Sequence, residues 1–110
     1  MTANKGDANQ KSKRPDDRIE VENVNVPGSR SHVNGAKYRA MRQALLELVP
    51  RRAPGLTQNE MIRGVRPYLP EDLFPGGSTS AWWVKCVQLD LEAKRLLTRD
   101  GGKPLRWRRI

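Results

Sequence analysis

Seven of the last seventeen residues are cations: Lys94, Arg95, Arg99, Lys103, Arg106, Arg108 and Arg109. Asp100 is the one acid among them, so the local charge is +6. Cations at that density neutralise phosphates and release the counterions condensed on a nucleic acid. Arg99, Lys103, Arg106 and Arg108 are the candidate phosphate contacts, with Arg95 leading the run. If five to eight cations each engage a phosphate, log affinity falls with log salt at a slope of about −4.5 to −7. A second set lies upstream: Ser78, Thr79, Ser80, Lys85 and Gln88. Hydroxyls suit phosphates, and Lys or Gln can reach base edges in a groove. The more ordinary role of each hydroxyl is to cap a helix.

Other chemistries find little support. Gly76-Gly77-Ser78 before a helix resembles a phosphate nest but lacks the longer P-loop pattern with its Lys. It does suggest that the helix behind it offers N–H groups to a phosphate. The chain has one histidine, His32, and one cysteine, Cys86. They make no metal-ligand set, and neither a Cys-His nor a Ser-His-Asp arrangement is indicated. Cys86 lies on an apolar helix flank and reads as a buried spacer rather than a redox sensor. Trp82, Trp83 and Trp107 could stack on bases. Spacing favours core packing for Trp83 and Trp107, whereas Trp82 points about 100° away from Trp83 and is free to face a partner. The reading is therefore non-catalytic, with no cofactor.

The elements that must position these residues follow from periodicity. Residues 1–18 are polar and read as a disordered tail. Residues 19–34 read as an extended arm or edge strand: Ile19-Glu20-Val21-Glu22 alternates, Val24 and Val26 extend it, and Pro27-Gly28 ends it. A first helix spans about Ala36 to Val49, with Asn34 as cap, Tyr38, Met41, Leu45 and Leu48 as buried stripe, and Pro50 as stop. Thr57-Gln58-Asn59-Glu60 forms a capping box that opens a short second helix ending near Arg66, before Pro67, and Gly64 weakens it by about 1 kcal/mol. Leu73 and Phe74 plug the core from a turn-rich stretch. A third helix starts at Ser78, Thr79 or Ser80 and runs to about Arg95. Trp83, Val84, Val87 and Leu91 face inward, Trp82, Cys86, Leu89 and Ala93 form a second apolar flank, and Lys85, Gln88, Glu92 and Arg95 take the outer arc. A hairpin closes the chain: Leu96–Arg99, the turn Asp100-Gly101-Gly102-Lys103, and Leu105–Ile110. Leu105 and Trp107 alternate with Arg106 and Arg108, giving one apolar and one cationic face.

That order is the order of a winged helix-turn-helix, so the expected class is mainly α with a small β-hairpin, the folded domain covering residues 35–110. From Ile19 to Arg108 the chain resembles a family of small uncharacterised bacterial proteins with a winged-helix-like domain. The residues carrying the resemblance are Val21-Glu22-Asn23-Val24-Asn25, Glu71-Asp72-Leu73-Phe74-Pro75-Gly76-Gly77, and Trp82-Trp83 through Val87-Gln88-Leu89-Asp90-Leu91-Glu92-Ala93-Lys94. The resemblance implies the fold and no activity. Its pattern calls for a small residue such as Gly after the third helix, where this chain has Arg95.

Charge locates the function. The 110 residues carry +9 and are 36% hydrophobic. Residues 1–34 hold +1 and residues 35–110 hold +8, so the excess belongs to the folded part. The apolar runs are too short for a membrane span, the N-terminus lacks an apolar signal core, and one cysteine suits a reducing cytoplasm. The expected partner is nucleic acid, duplex DNA ahead of RNA, in a regulatory role. The alternative is a protein-interaction adaptor or homodimer that uses Trp82, Leu73 and Phe74 as an apolar patch.

Overall fold

The computed structural model describes residues 17–110. The expected tail lies outside the described residues up to position 16, whereas Asp17 and Arg18 belong to the fold. The chain opens with an antiparallel hairpin, β1 (Arg18–Asn23) and β2 (Val26–Asn34), where a single strand is expected from the sequence. The reversal comes before Pro27-Gly28. The Asn23 side chain accepts from the Asn25 amide at 2.8 Å, a local Asx turn, and the Asn23 amide donates to Ser29 Oγ at 3.1 Å. Ile19 pairs with Val33 and Val21 with Ser31, and a register shift follows Val21. Val21 is buried while Pro27 and Gly28 sit exposed in β2, where a missing N–H is harmless.

Three helices form the body. In α1 (Gly35–Leu48) Asn34 caps by accepting from the Lys37 amide at 2.9 Å, and Tyr38, Met41, Ala44 and Leu45 are buried. In α2 (Gln58–Val65) the capping box is complete: Glu60 N–H donates to Thr57 Oγ1 at 3.1 Å, and Thr57 N–H donates to Glu60 Oε1 at 2.9 Å. Gly64 has a packing role as well as a propensity cost. A Cβ there would stand 2.7 Å from a Leu48 methyl, so its absence lets α2 approach α1. A 3-10 turn at Arg66–Tyr68 leads to the connecting stretch, from which Phe74 enters the core and meets Trp83 edge to face at 6.4 Å.

The third helix, α3 (Ser80–Ala93), buries Trp83, Val84, Val87 and Leu91 as its spacing predicts. Its outer arc is narrower than predicted. Gln88 and Glu92 are buried, because α2 and the C-terminal hairpin close over them. The helix ends in a Schellman motif. Arg95 N–H donates to the Glu92 carbonyl at 3.0 Å and Leu96 N–H to the Leu91 carbonyl at 2.8 Å. This geometry puts Arg95 at φ +63, the position where a glycine is expected.

The second hairpin, β3 (Leu97–Asp100) with β4 (Arg106–Arg109), pairs Thr98 with Arg108 and Arg99 with Trp107. Leu97 and Trp107 are buried, whereas Leu105 lies in the loop and is exposed, so it does not extend the apolar face. Leu56 joins this hairpin: its N–H and C=O both bond to Trp107, each at 2.8 Å. The approach needs Gly55, which sits at φ +76 where a Cβ would lie 2.4 Å from the Trp107 carbonyl oxygen. The whole is a mixed α/β fold of three helices and two small antiparallel hairpins, one more hairpin than the sequence suggests.

Asp90, which has no exposure at all, ties these parts together. Its carboxylate accepts from the Tyr38 hydroxyl of α1, from the Glu22 amide of β1 at 3.0 Å, and from Lys94 one turn along α3. Burial first, and then the Asp90 carboxylate, hold the Tyr38 phenol well above the usual tyrosine range. Asp90→Ala strands the Tyr38 hydroxyl and the Glu22 amide and is expected to cost about 2–4 kcal/mol in urea unfolding. Gly55→Ala meets both a positive φ and a backbone clash. It is expected to lose about 2–3 kcal/mol, read as a lower urea midpoint at constant m value.

Candidate nucleic-acid interface

The residues picked out by sequence separate into three groups. Ser78 and Thr79 are exposed at the start of α3, but Ser80 is buried at 2% exposure and cannot meet a ligand directly. No hydroxyl caps the helix. Thr79 occupies the N-cap at φ +59 with no side-chain cap bond, and its hydroxyl donates instead to the Ser78 carbonyl at 2.6 Å. The capping expectation therefore fails on backbone geometry, since a left-handed N-cap turns the hydroxyl away from the first-turn amides. The glycine nest is also occupied. Gly76 N–H donates to Glu71 Oε2 at 2.8 Å, and the Gly77 and Ser78 amides bond to the carbonyls of Phe74 and Pro75.

Gln88 is corrected outright. It accepts from Gln58 and donates to Glu92, both at 2.9 Å, inside the structure, so it reaches no base edge. Arg99 points inward too. Its guanidinium grips the Glu92 carboxylate with Nε at 2.7 Å and an Nη at 3.1 Å, and its carbon lies 5.5 Å from the Trp107 ring centroid. The hydrogen bond to Glu92 raises its already high pKa. Strand alternation explains this, because Arg99 pairs with Trp107 and shares its core-facing side.

The remaining cations lie outward. Arg106 reaches the Gly55 carbonyl at 3.3 Å and Glu60 at 3.5 Å, and Arg108 holds Asp100 at 3.0 Å; all four side chains are about one-third or more exposed. The Glu60 carboxyl is held below its usual range, first by the Thr57 amide, which outweighs the opposing effect of desolvation, and then more weakly by Arg106. Arg95, Lys103 and Lys85 are exposed and have no carboxylate partner among the described residues. The seven C-terminal cations thus face four carboxylates, Asp90, Glu92, Glu60 and Asp100. The local excess is +3 where the linear count is +6.

The apolar contact patch dissolves in part. Phe74 is 1% exposed and Leu73 is half-buried, leaving Trp82 at 59% exposure as the one open side chain of the three. Trp83 and Trp107 are core residues. A groove of about 480 Å³ runs between α3 and the first hairpin, with Trp82, Lys85, Cys86 and Leu89 on one wall. Another, about 640 Å³, is flanked by Arg39 and Arg42 of α1 and Arg109 of β4. Periodicity along one element gave no signal for either, because each is made by elements far apart in the chain. His32 lies exposed on β2 opposite Glu20.

Burial pushes the Cys86 thiol up to about 11, and the Asp90 charge adds to the effect. The thiol therefore stays protonated at neutral pH. Its alkylation by iodoacetamide is expected to be slow at pH 7.5 and to rise with pH toward a midpoint of about 11.

No curated protein and no solved structure matches the chain. One family model does, and it spans the first hairpin, all three helices and most of the second hairpin. Over residues 18–107 the chain belongs to a family of unknown function, DUF6958.

Proposed function

We propose that this chain is a winged helix-turn-helix module that binds nucleic acid, duplex DNA in the first instance, without catalysing a reaction. Several features support the fold assignment. The element order is that of the class. Leu56, between α1 and α2, bonds to the C-terminal hairpin through a single antiparallel bridge. The third helix packs against β3. In such a module the exposed start of the third helix and the wing lie against the duplex.

The observation that carries the reading is Arg95. A left-handed backbone costs an L-residue other than Gly about 1–2 kcal/mol. Arg95 accepts that strain while remaining exposed and without a carboxylate partner among the described residues. Strain held at a surface cation points to a role for the cation rather than for stability. Thr79, at the other end of α3, shows the same pattern of a strained and exposed residue, and it leaves the first-turn amides without a side-chain cap. Those amides and the helix dipole favour a phosphate. In this reading Ser78, Thr79 and Lys85 meet the strand along α3. Arg95 and Lys103 neutralise phosphates, and Arg106 and Arg108 exchange weak surface pairs for phosphates.

Three to five phosphates are then engaged, fewer than the unfolded count of cations implies. Titration of a 20-base-pair duplex at several salt concentrations is expected to give a slope of about −3 to −4.5. Arg95→Gly is expected to raise stability by about 0.5–1 kcal/mol while lowering the slope by about 1. Lys103→Ala is expected to weaken binding to all sequences alike. Absence of binding at low salt, or a binding constant indifferent to salt, overturns the proposal, and a preference for RNA in direct competition reassigns the partner.

A further inference from the structure

The groove between α3 and the first hairpin has two chemically different walls. The helix wall is apolar and aromatic: Trp82 is 59% exposed, and its ring stands edge-on to the buried Trp83 at 5.1 Å, which holds it in place. The hairpin wall is polar, with Asn23, Ser29 and Ser31. Ser29 Oγ already accepts from the Asn23 amide, and Asn23 Oδ1 from the Asn25 amide. What these side chains still offer is chiefly donors, the Ser29 hydroxyl proton and the Asn23 amide nitrogen. Two cations stand in the lining, Lys85 and Arg30, the latter paired to Glu20 only at 3.5 Å with 62% of its side chain exposed. The acid there is Glu22. A volume of about 480 Å³ is in the range that holds a ligand of one or two rings.

We propose that this groove holds an unpaired nucleotide of a nucleic-acid strand. The base lies on Trp82, its edge acceptors meet the donors of Asn23 and Ser29, and the adjoining phosphates meet Lys85 and Arg30. A flat aromatic surface facing hydrogen-bond donors, with cations beside them, suits a nucleotide better than an aliphatic side chain of a protein partner. The site rests on the nucleic-acid reading but uses a surface apart from the C-terminal hairpin. It gives Trp82 a partner, and it adds single-strand or extruded-base binding to duplex contact.

The test is tryptophan fluorescence of the full chain titrated at low salt with octathymidylate, with the 20-base-pair duplex, and with a peptide of alternating Glu and Leu. Octathymidylate is expected to bind and quench emission. Trp82→Ala is expected to lower its affinity about 5- to 150-fold, followed by anisotropy of a labelled oligonucleotide. Trp82→Phe is expected to restore most of that loss. The urea midpoint of Trp82→Ala is expected to match the parent, because the ring is largely solvated, and its duplex affinity to stay within twofold. Equal octathymidylate affinity for parent and Trp82→Ala overturns the site. Binding of duplex alone overturns it while leaving the duplex reading intact. Trp82-dependent binding of octathymidylate without duplex binding supports the site and overturns the duplex reading. Binding of the peptide alone assigns the groove to an acidic protein partner, and binding of none of the three overturns both readings.

Discussion

A carboxylate without solvent must find donors, and Asp90 finds them on three elements at once. α1 supplies the Tyr38 hydroxyl, β1 the Glu22 amide, and α3 itself Lys94. Desolvating a carboxylate costs several kcal/mol unless hydrogen bonds return it. The position of the first hairpin against the helices is therefore set by more than apolar contact, which is non-directional. The hairpin contributes one well-buried apolar side chain, Val21. Ile19 and Val33 pack partly against the core, and the bond from the Glu22 amide adds a directed tie between β1 and α3.

The same requirement divides the protein's cations into two populations. Lys94 and Arg99 serve Asp90 and Glu92 and act as internal structure. Arg95 and Lys103, close to them in sequence, serve no carboxylate among the described residues. A count along the chain cannot separate the two, since the acids that absorb charge lie on other elements. What looks like a uniform basic segment is in three dimensions an ion-paired base with a few free charges at its margins.

Much of the fold was legible because it rests on local rules. The capping box at Thr57 and Glu60, the Asn34 cap, the buried stripe of α1 from Tyr38 through Leu45 and the inward face of α3 all follow from spacing within one element and are present, while Leu48 at the end of the stripe is half-buried. The Asp100-Gly101-Gly102 turn likewise signals its hairpin, which forms between Leu97 and Arg109. The misses share a cause. Gln88, Arg99 and Glu92 are polar residues whose burial depends on one another, and a polar residue met alone reads as surface. The first hairpin was read as one strand because Asn23 and Asn25 are weaker turn signals than Pro27-Gly28. The demand for a small residue after α3 was sound as backbone geometry, and Arg95 meets it under strain rather than by dispensing with it.

The bond between Leu56 and Trp107 has a consequence for the order of folding. It joins distant parts of the chain, as do the bonds from Arg109 to the carbonyls of Pro50 and Val49. The helices precede β4 in the chain and can meet before it docks. The linker between α1 and α2 cannot settle until β4 is in place. Contacts of such wide separation must meet their loop-closure entropy before any gain arrives. The link between α1 and α2 is thus ordered by β4 rather than by the helices it joins, and removing the Leu56–Trp107 pairing leaves the helices in place while freeing that link.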